Sequence, residues 1–338
     1  AVFAAPGLGF YISEQKAHAL VDMWREFDAS TVCEEGGAAG EGACVWPDPR
    51  YTCSDTDNRC SYWAELGECM ENPRYMLMSC ARSCGSCFLK DKNYRCQRNE
   101  TAHRPAISEK GEVNAMFEDV TTSETWKKYS PKIHSRDPWV VTFESFMSPE
   151  EVDDFLSQHM NFKRSVDAGA LQPDGSFAEI RSMGRTSSSF WCTDQCWERP
   201  IMTKIAERIS EITRIPVDNG EYPQVLRYDK EQEYTQHHDY IPGHLDLPIG
   251  PRLYTFFVYL SDVEDGGETH FPLVNDLKVK PKKGKAVLWP SVLDRNPLMK
   301  DRRTKHAALP VKKGRKYAMN IWLHMYNFHD YFEIGCTG

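Results

Sequence analysis

The stretch Gln224-Val225-Leu226-Arg227-Tyr228, followed by Tyr234-Thr235-Gln236-His237-His238-Asp239-Tyr240, reads as two short strands separated by a charged turn. β-Branched and aromatic runs of the same kind recur at 253–260, 277–279, 286–289 and 316–326, set off by Gly, Pro and Asp. Upstream the pattern differs. Trp139-Val140-Val141-Thr142-Phe143 is strand-like, and Ser148-Pro149-Glu150-Glu151 is a capping box with proline in the first turn, opening a helix through Val152, Phe155 and Leu156. A second helix is bracketed by Pro200 and Pro216, with Ile201, Ile205, Ile209 and Ile212 on one face. Helices first and then many closely spaced strands predict an α+β domain, a β-sandwich or jelly roll supported by helices on one face.

Within 234–240 the strand period of two puts His237 and Asp239 on one face and turns His238 away. One imidazole and one carboxylate then converge. A histidine from another strand would complete the facial ligand set that suits Fe(II) and leaves coordination positions open; His306 is the candidate. His-x-Asp alone is a common accident, so its company matters. Lys316 opens the final run, and even offsets align Lys316, Ala318, Asn320 and Trp322 on one face. A lysine directed into a barrel needs an anion, because burying an unpaired ammonium is costly. The plain alternative is a lysine exposed at a strand end.

The 338 residues are 41% hydrophobic and 27% charged, which excludes disordered, collagen-like and membrane-spanning classes. Since a single core rarely grows beyond ~250–300 residues, two folded units are expected. A balance of 41 basic against 49 acidic side chains gives a net charge of -8, without the footprint of a nucleic-acid or anionic-membrane partner. Nine of the 12 cysteines (Cys33, Cys44, Cys53, Cys60, Cys69, Cys80, Cys84, Cys87 and Cys96) lie in the first hundred residues, which reads as disulfide scaffolding in an oxidising compartment. Asn99-Glu100-Thr101 is the one glycosylation sequon. The opening Ala1-Val2-Phe3-Ala4-Ala5 lacks the basic flank of a signal peptide, and the chain is read as already processed or truncated. Cys336-Thr337-Gly338 is not a lumenal retention signal.

This divides the chain into 1–52, an amphipathic helix over 10–27 and a Gly/Ala/Glu-rich loop that Cys33 and Cys44 could close; 53–87, a disulfide-stapled mini-domain; 88–137, a connector without sustained period; 138–328, the main domain; and a tail at 329–338.

Residues 138–328 resemble the catalytic domain of the prolyl 4-hydroxylases, Fe(II)- and 2-oxoglutarate-dependent dioxygenases with a double-stranded β-helix (jelly-roll) core. The matching motifs run in order: Arg185-Thr186-Ser187-Ser188, the two opening strands above, Arg252-Leu253-Tyr254-Thr255 and Tyr259-Leu260-Ser261-Asp262-Val263. Gly266-Gly267-Glu268-Thr269-His270-Phe271-Pro272 and His306-Ala307-Ala308-Leu309-Pro310-Val311 follow, leading to Gly314, Lys316 and Trp322. The resemblance implies that His237, Asp239 and His306 bind iron and that Lys316 meets the distal carboxylate of 2-oxoglutarate, helped by Tyr228 and Thr269. It implies that Tyr234, Arg252 and Trp322 line the substrate proline's place, and that ascorbate serves as a further cofactor. The reaction implied converts 2-oxoglutarate and dioxygen to succinate and carbon dioxide while peptidyl proline becomes 4-hydroxyproline, the substrate being an extended polyproline II segment. The chain departs from the family pattern at Ser189-Phe190 and Ala307, where glycine is frequent, and in the pair Cys192 and Cys196. His238 and His270 are read as supporting residues rather than ligands.

Cys53, Cys60, Cys69, Cys80, Cys84 and Cys87, with Trp63-Ala64-Glu65-Leu66-Gly67-Glu68 and Asn72-Pro73-Arg74-Tyr75-Met76 between them, resemble the ShK toxin-like domain. That resemblance implies disulfides Cys53–Cys87, Cys60–Cys80 and Cys69–Cys84; Cys96 and Cys336 are left to pair with each other. The expectation is therefore a prolyl 4-hydroxylase of the endoplasmic reticulum or secretory lumen, with any partner subunit open. The alternatives are a sister oxygenase acting on another residue, which lysine at 316 disfavours, and a catalytically silent subunit for peptide binding or assembly.

Overall fold

The computed structural model describes Val21, Met23 and residues 52–98, 104–171 and 177–338. Val21 and Met23 are helical; the rest of the helix expected at 10–27, the closure of Cys33 with Cys44, and Asn99 lie outside the described residues. Two units are distinguished, one of 1–98 with 330–336 and one of 99–329 with 337–338.

In the first unit, short helices Cys60–Glu65, Glu68–Glu71 and Pro73–Ser79 are cross-linked by Cys53–Cys87, Cys60–Cys80 and Cys69–Cys84. Cys96 pairs with Cys336 in the same unit. The module's start is tied back by Asp55, whose carboxylate accepts hydrogen bonds from the Arg82 and Ser83 amides and the Ser83 hydroxyl.

The second unit is a jelly roll of two facing sheets. Its strands are β1 (Pro131–Arg136), β2 (Trp139–Phe143), β3 (Lys163–Arg164), β4 (Ser188–Trp191), β5 (Gln224–Tyr228) and β6 (Tyr234–His237). They continue with β7 (Arg252–Tyr259), β8 (Thr269–Phe271), β9 (Leu277–Val279), β10 (Ala286–Pro290), β11 (His306–Ala308) and β12 (Lys316–His324). The eight-stranded major sheet has the order β1-β2-β10-β7-β12-β5-β4-β3, and the four-stranded minor sheet β9-β8-β11-β6.

The central strands are apolar on both faces because both are covered. Along β7, Tyr254, Phe256 and Val258 join the cluster under the helices, while Phe257 and Tyr259 join a separate cluster between the sheets. On the helix side, Pro200–Thr213 buries Ile201, Ile205, Ile209 and Ile212, the stripe its spacing foretells. The capping box is formed: the Ser148 hydroxyl accepts from the Glu151 amide at 3.2 Å and the Glu151 carboxylate from the Ser148 amide at 3.0 Å.

The connector expected at 88–137 is corrected. It contains the helix Glu112–Thr122 and strand β1, both part of the second unit. Val113, Met116, Phe117 and Val120 do follow a helical period, and burial of that face on the sheet secures it: Phe117 stacks on Trp139 with ring centroids 5.3 Å apart.

Candidate active site

Strands β6 and β11 are neighbours in the minor sheet, and their antiparallel register sets His306 opposite His237. Asp239 is not in the strand with His237, contrary to the alternation expected from sequence: β6 ends at His237. Other contacts bring its carboxylate to the histidines. The Thr255 hydroxyl donates to Asp239 Oδ2 at 2.6 Å, and Arg252 donates to the Asp239 carbonyl at 3.2 Å. His237 Nε2 then lies 3.8 Å from Asp239 Oδ1, and His306 Nε2 lies 3.5 Å from Asp239 Oδ2.

Both imidazoles are oriented from behind. His237 Nδ1 lies 2.9 Å from the Thr235 carbonyl and His306 Nδ1 lies 3.0 Å from the Thr304 carbonyl, so each Nδ1 carries the proton and each Nε2 presents its lone pair. Burial, then the neighbouring His306, pushes His237 down to about 3, which keeps it neutral. Burial alone would raise Asp239, but the two imidazoles, the Thr255 hydroxyl and Arg252 hold it below the usual carboxylate range. One atom from each of the three side chains lies within 4.8 Å of the others. Two imidazoles and one carboxylate form the donor set that suits Fe(II), and the chain's own groups fit it.

These side chains open on a cavity of about 210 Å³, also lined by Tyr228, Tyr234, Arg252, Thr269 and Trp322; Lys316, expected with them, does not line it. Lys316 points between the sheets, as the even offsets predict, and is fully buried. Its ammonium donates to the Gly267 carbonyl at 2.8 Å and lies 5.1, 5.2 and 5.4 Å from the ring centres of Tyr228, Phe257 and Tyr259. Tyr228 and Phe257 line the cavity, so the ammonium sits just behind its wall. Gly266 and Gly267 both have positive φ, and a side chain on Gly266 would strike the Pro310 carbonyl. Among the described residues no carboxylate pairs with Lys316, and burial pulls it down to about 7. The Thr269 hydroxyl is held by Tyr259 at 2.6 Å.

Tyr234 stacks on His237 at 3.6 Å between centroids and donates to Asp167 at 2.8 Å, and the Arg185 guanidinium lies over its ring at 4.6 Å from the centroid. Arg252 lies 3.9 Å above the Trp322 ring and pairs with Glu221 through both Nε and Nη2. Burial opposes the charge on Glu221, but Arg252 and His324 hold its carboxyl down at about 2; His324 Nε2 lies 2.7 Å from it. Sequence reading missed Glu221, His324 and Asp167. Glu221 lies far along the chain from Arg252, and no local pattern marks it. Thr255 and Arg185 stood inside quoted motifs without a role. The Asn320 Oδ1 and Trp322 Nε1 atoms are buried at the cavity without a partner. His238 is a brace: it accepts from the Tyr240 amide and donates to the Asp301 carbonyl. His270 faces Asp276 at 2.6 Å instead of the cavity.

The 2OG-Fe(II) oxygenase superfamily pattern matches residues 223–324, a span containing all nine residues expected to bind metal, cosubstrate or substrate; the ShK domain-like pattern matches 52–87. Prolyl 4-hydroxylase 1 of Arabidopsis thaliana is 34% identical over 207 residues, covering 57% of this chain and 71% of that protein. The chain belongs to the prolyl 4-hydroxylase family. Prolyl 4-hydroxylase subunit alpha-2 of Gallus gallus is 33% identical over 190 residues, 55% of this chain and 34% of that one. Among solved structures, a viral collagen prolyl hydroxylase from Paramecium Bursaria Chlorella virus-1 in complex with 2OG is 30% identical, with a TM-score of 0.43, over 55% of this chain and 95% of that chain. As a prolyl 4-hydroxylase family member the chain is an Fe(II)- and 2-oxoglutarate-dependent dioxygenase, and the His237, Asp239 and His306 cluster is a fitting metal site.

Proposed function

We propose that this protein hydroxylates proline at C4 in extended, proline-rich peptides of the secretory pathway. His237, Asp239 and His306 hold Fe(II); Lys316, Tyr228 and Thr269 take the distal carboxylate of 2-oxoglutarate; Tyr234, Arg252 and Trp322 receive the proline. The observation that carries this reading is the pairing of two features across one cavity. Three convergent metal-ligand atoms lie on one side, and a buried ammonium without a carboxylate partner lies behind the other.

When bound, iron with 2-oxoglutarate and dioxygen supplies the oxidising chemistry, with succinate and carbon dioxide as the other products. The chain's own work is orientation and exclusion. The Thr235 and Thr304 carbonyls fix the imidazole tautomers, and Thr255 holds one carboxylate oxygen of Asp239. The Lys316 ammonium gives a dicarboxylate one strong charged contact in a site of low dielectric. Tyr234, Arg252 and Trp322 line the cavity in which the proline of a polyproline II segment would sit, and the pre-formed shape of such a segment loses little entropy on docking. Five disulfides among the described residues support an oxidising setting.

The test is turnover of poly-proline, collagen-like and Ser-Pro-rich peptides, followed by mass spectrometry. The expected result is 4-hydroxyproline with matching succinate release, lost by at least ~100-fold in His306→Ala. Iron-dependent succinate release that survives His306→Ala would overturn the metal assignment.

A further inference from the structure

Immediately before His306 the chain is strongly basic. A ribbon pairs Val292–Leu293 with Asn296–Lys300, a turn Arg302–Thr304 follows, and the segment carries Arg295, Lys300, Arg302, Arg303 and Lys305. In a chain of net charge -8 this is a local excess of the opposite sign. The nearby carboxylates are already engaged. Arg303 binds Asp301 through two nitrogens at 2.9 and 2.7 Å and reaches Asp137 at 2.7 Å. Asp294 accepts from the amide and side chain of Asn114 at 2.9 and 2.8 Å. Among the described residues Lys300, Arg302 and Lys305 have no carboxylate at ion-pair distance. Burial, then the like charges of Arg302 and Lys305, push Lys300 down, while Asp239 pulls the other way.

This basic segment is fastened to the metal site. The Tyr240 hydroxyl donates to the Leu298 carbonyl at 2.7 Å, and His238 donates to the Asp301 carbonyl at 2.7 Å. His238 and Tyr240 flank Asp239, so the ribbon is held by the same stretch of chain that carries the ligand. Beside the cations, Leu298 and Met299 are half exposed and offer apolar footing to a passing chain.

We propose that this ribbon is a docking surface for the substrate peptide beside the target proline, and that it selects peptides carrying Asp or Glu there. The inference rests on the prolyl-hydroxylase reading and deepens it. The ribbon adjoins the site through the His238 and Tyr240 contacts, and a polyproline II peptide advances ~3.1 Å per residue, so the acidic side chain is proposed within a few positions of the reacting proline. Surface charges beside an apolar strip act on encounter and choice of partner more than on chemistry.

The test uses the full chain and two labelled proline-rich peptides that differ only in Glu or Gln around one proline. Fluorescence anisotropy without added iron reads binding, and mass spectrometry with iron reads hydroxylation. The Glu peptide is expected to bind about tenfold more tightly at low salt, and the gap should close near 0.5 M salt, where the screening length falls to roughly 4 Å. Lys300→Gln with Arg302→Gln should bring the Glu peptide's affinity down to that of the Gln peptide. Equal binding of both peptides by the unaltered chain overturns the proposal. So does an acidic peptide without proline that binds as tightly, which would mark a general anion surface. Hydroxylation of both peptides without discrimination removes the docking surface and leaves the prolyl reading standing. Discrimination in binding with hydroxylation of neither keeps the surface and removes that reading.

Discussion

In residues 52–87 three disulfides join helices of four to seven residues, and the described interior is largely those cystines with Met76, Leu77 and Ala81. In residues 99–329 the centre is instead a continuous aromatic and aliphatic mass, with Phe256 lying 5.6 Å from Phe143 and 4.7 Å from Phe146 by ring centroid. The first region is too small to bury a core that offsets its chain entropy, so covalent links restrict the unfolded chain. The second closes two sheets and a helical layer on each other, and apolar burial carries it. The difference also decides where charge can be used. Asp57 and Arg59 of the module pair at the surface, whereas the jelly roll encloses the Lys316 ammonium against the Gly267 carbonyl.

The largest expected effect that would break this contrast comes from Phe256→Ala. It should cost about 3–5 kcal/mol in denaturant unfolding, with amide exchange accelerated in the jelly roll and unchanged in the module. An equal loss of protection in both regions would show that they share one core. Next, Cys60→Ser with Cys80→Ser should cost the module about 2–5 kcal/mol and strip its amides of protection, while the jelly roll keeps its own. A module that stays protected without that bond would refute the covalent account.

A third effect sharpens the contrast in charge. Lys316 titrates near 7 in the native chain and near 10.5 when unfolded, so between those values the unfolded chain binds the extra proton and stability rises with pH. The penalty of the buried ammonium is fully present below about pH 7. Affinity for 2-oxoglutarate moves the other way, weakening up to ~10-fold per pH unit above 7 as the ammonium is lost. Calorimetry on the metal-free chain reads this, and Lys316→Met should give a weak, flat profile. A sloping profile in that variant would assign the titration to another group.

Much of this was open to sequence reading because it depends on neighbours along the chain. The Ser148 capping box and the isoleucine stripe of Pro200–Thr213 are local, and the even offsets of Lys316, Ala318, Asn320 and Trp322 follow from strand geometry alone. The helix Glu112–Thr122 was missed although Val113, Met116, Phe117 and Val120 carry a helical period, because the period spans only about two turns and burial against Trp139 and Tyr254 is what secures it. Glu221 and His324 escaped for a similar reason, since their partner Arg252 is reached through space.

By itself, the order of residues determined the strand and helix periods, the kinds of ligand available and a cysteine framework fit for cross-linking, because each is a property of spacing and side-chain chemistry. Tertiary structure alone decided that β6 stops at His237 and that Thr255 and Arg252 steer Asp239 to the two imidazoles. It also decided that the lysine lies behind the same cavity. Those outcomes depend on strand register and on hydrogen bonds between distant segments, and no local pattern records them.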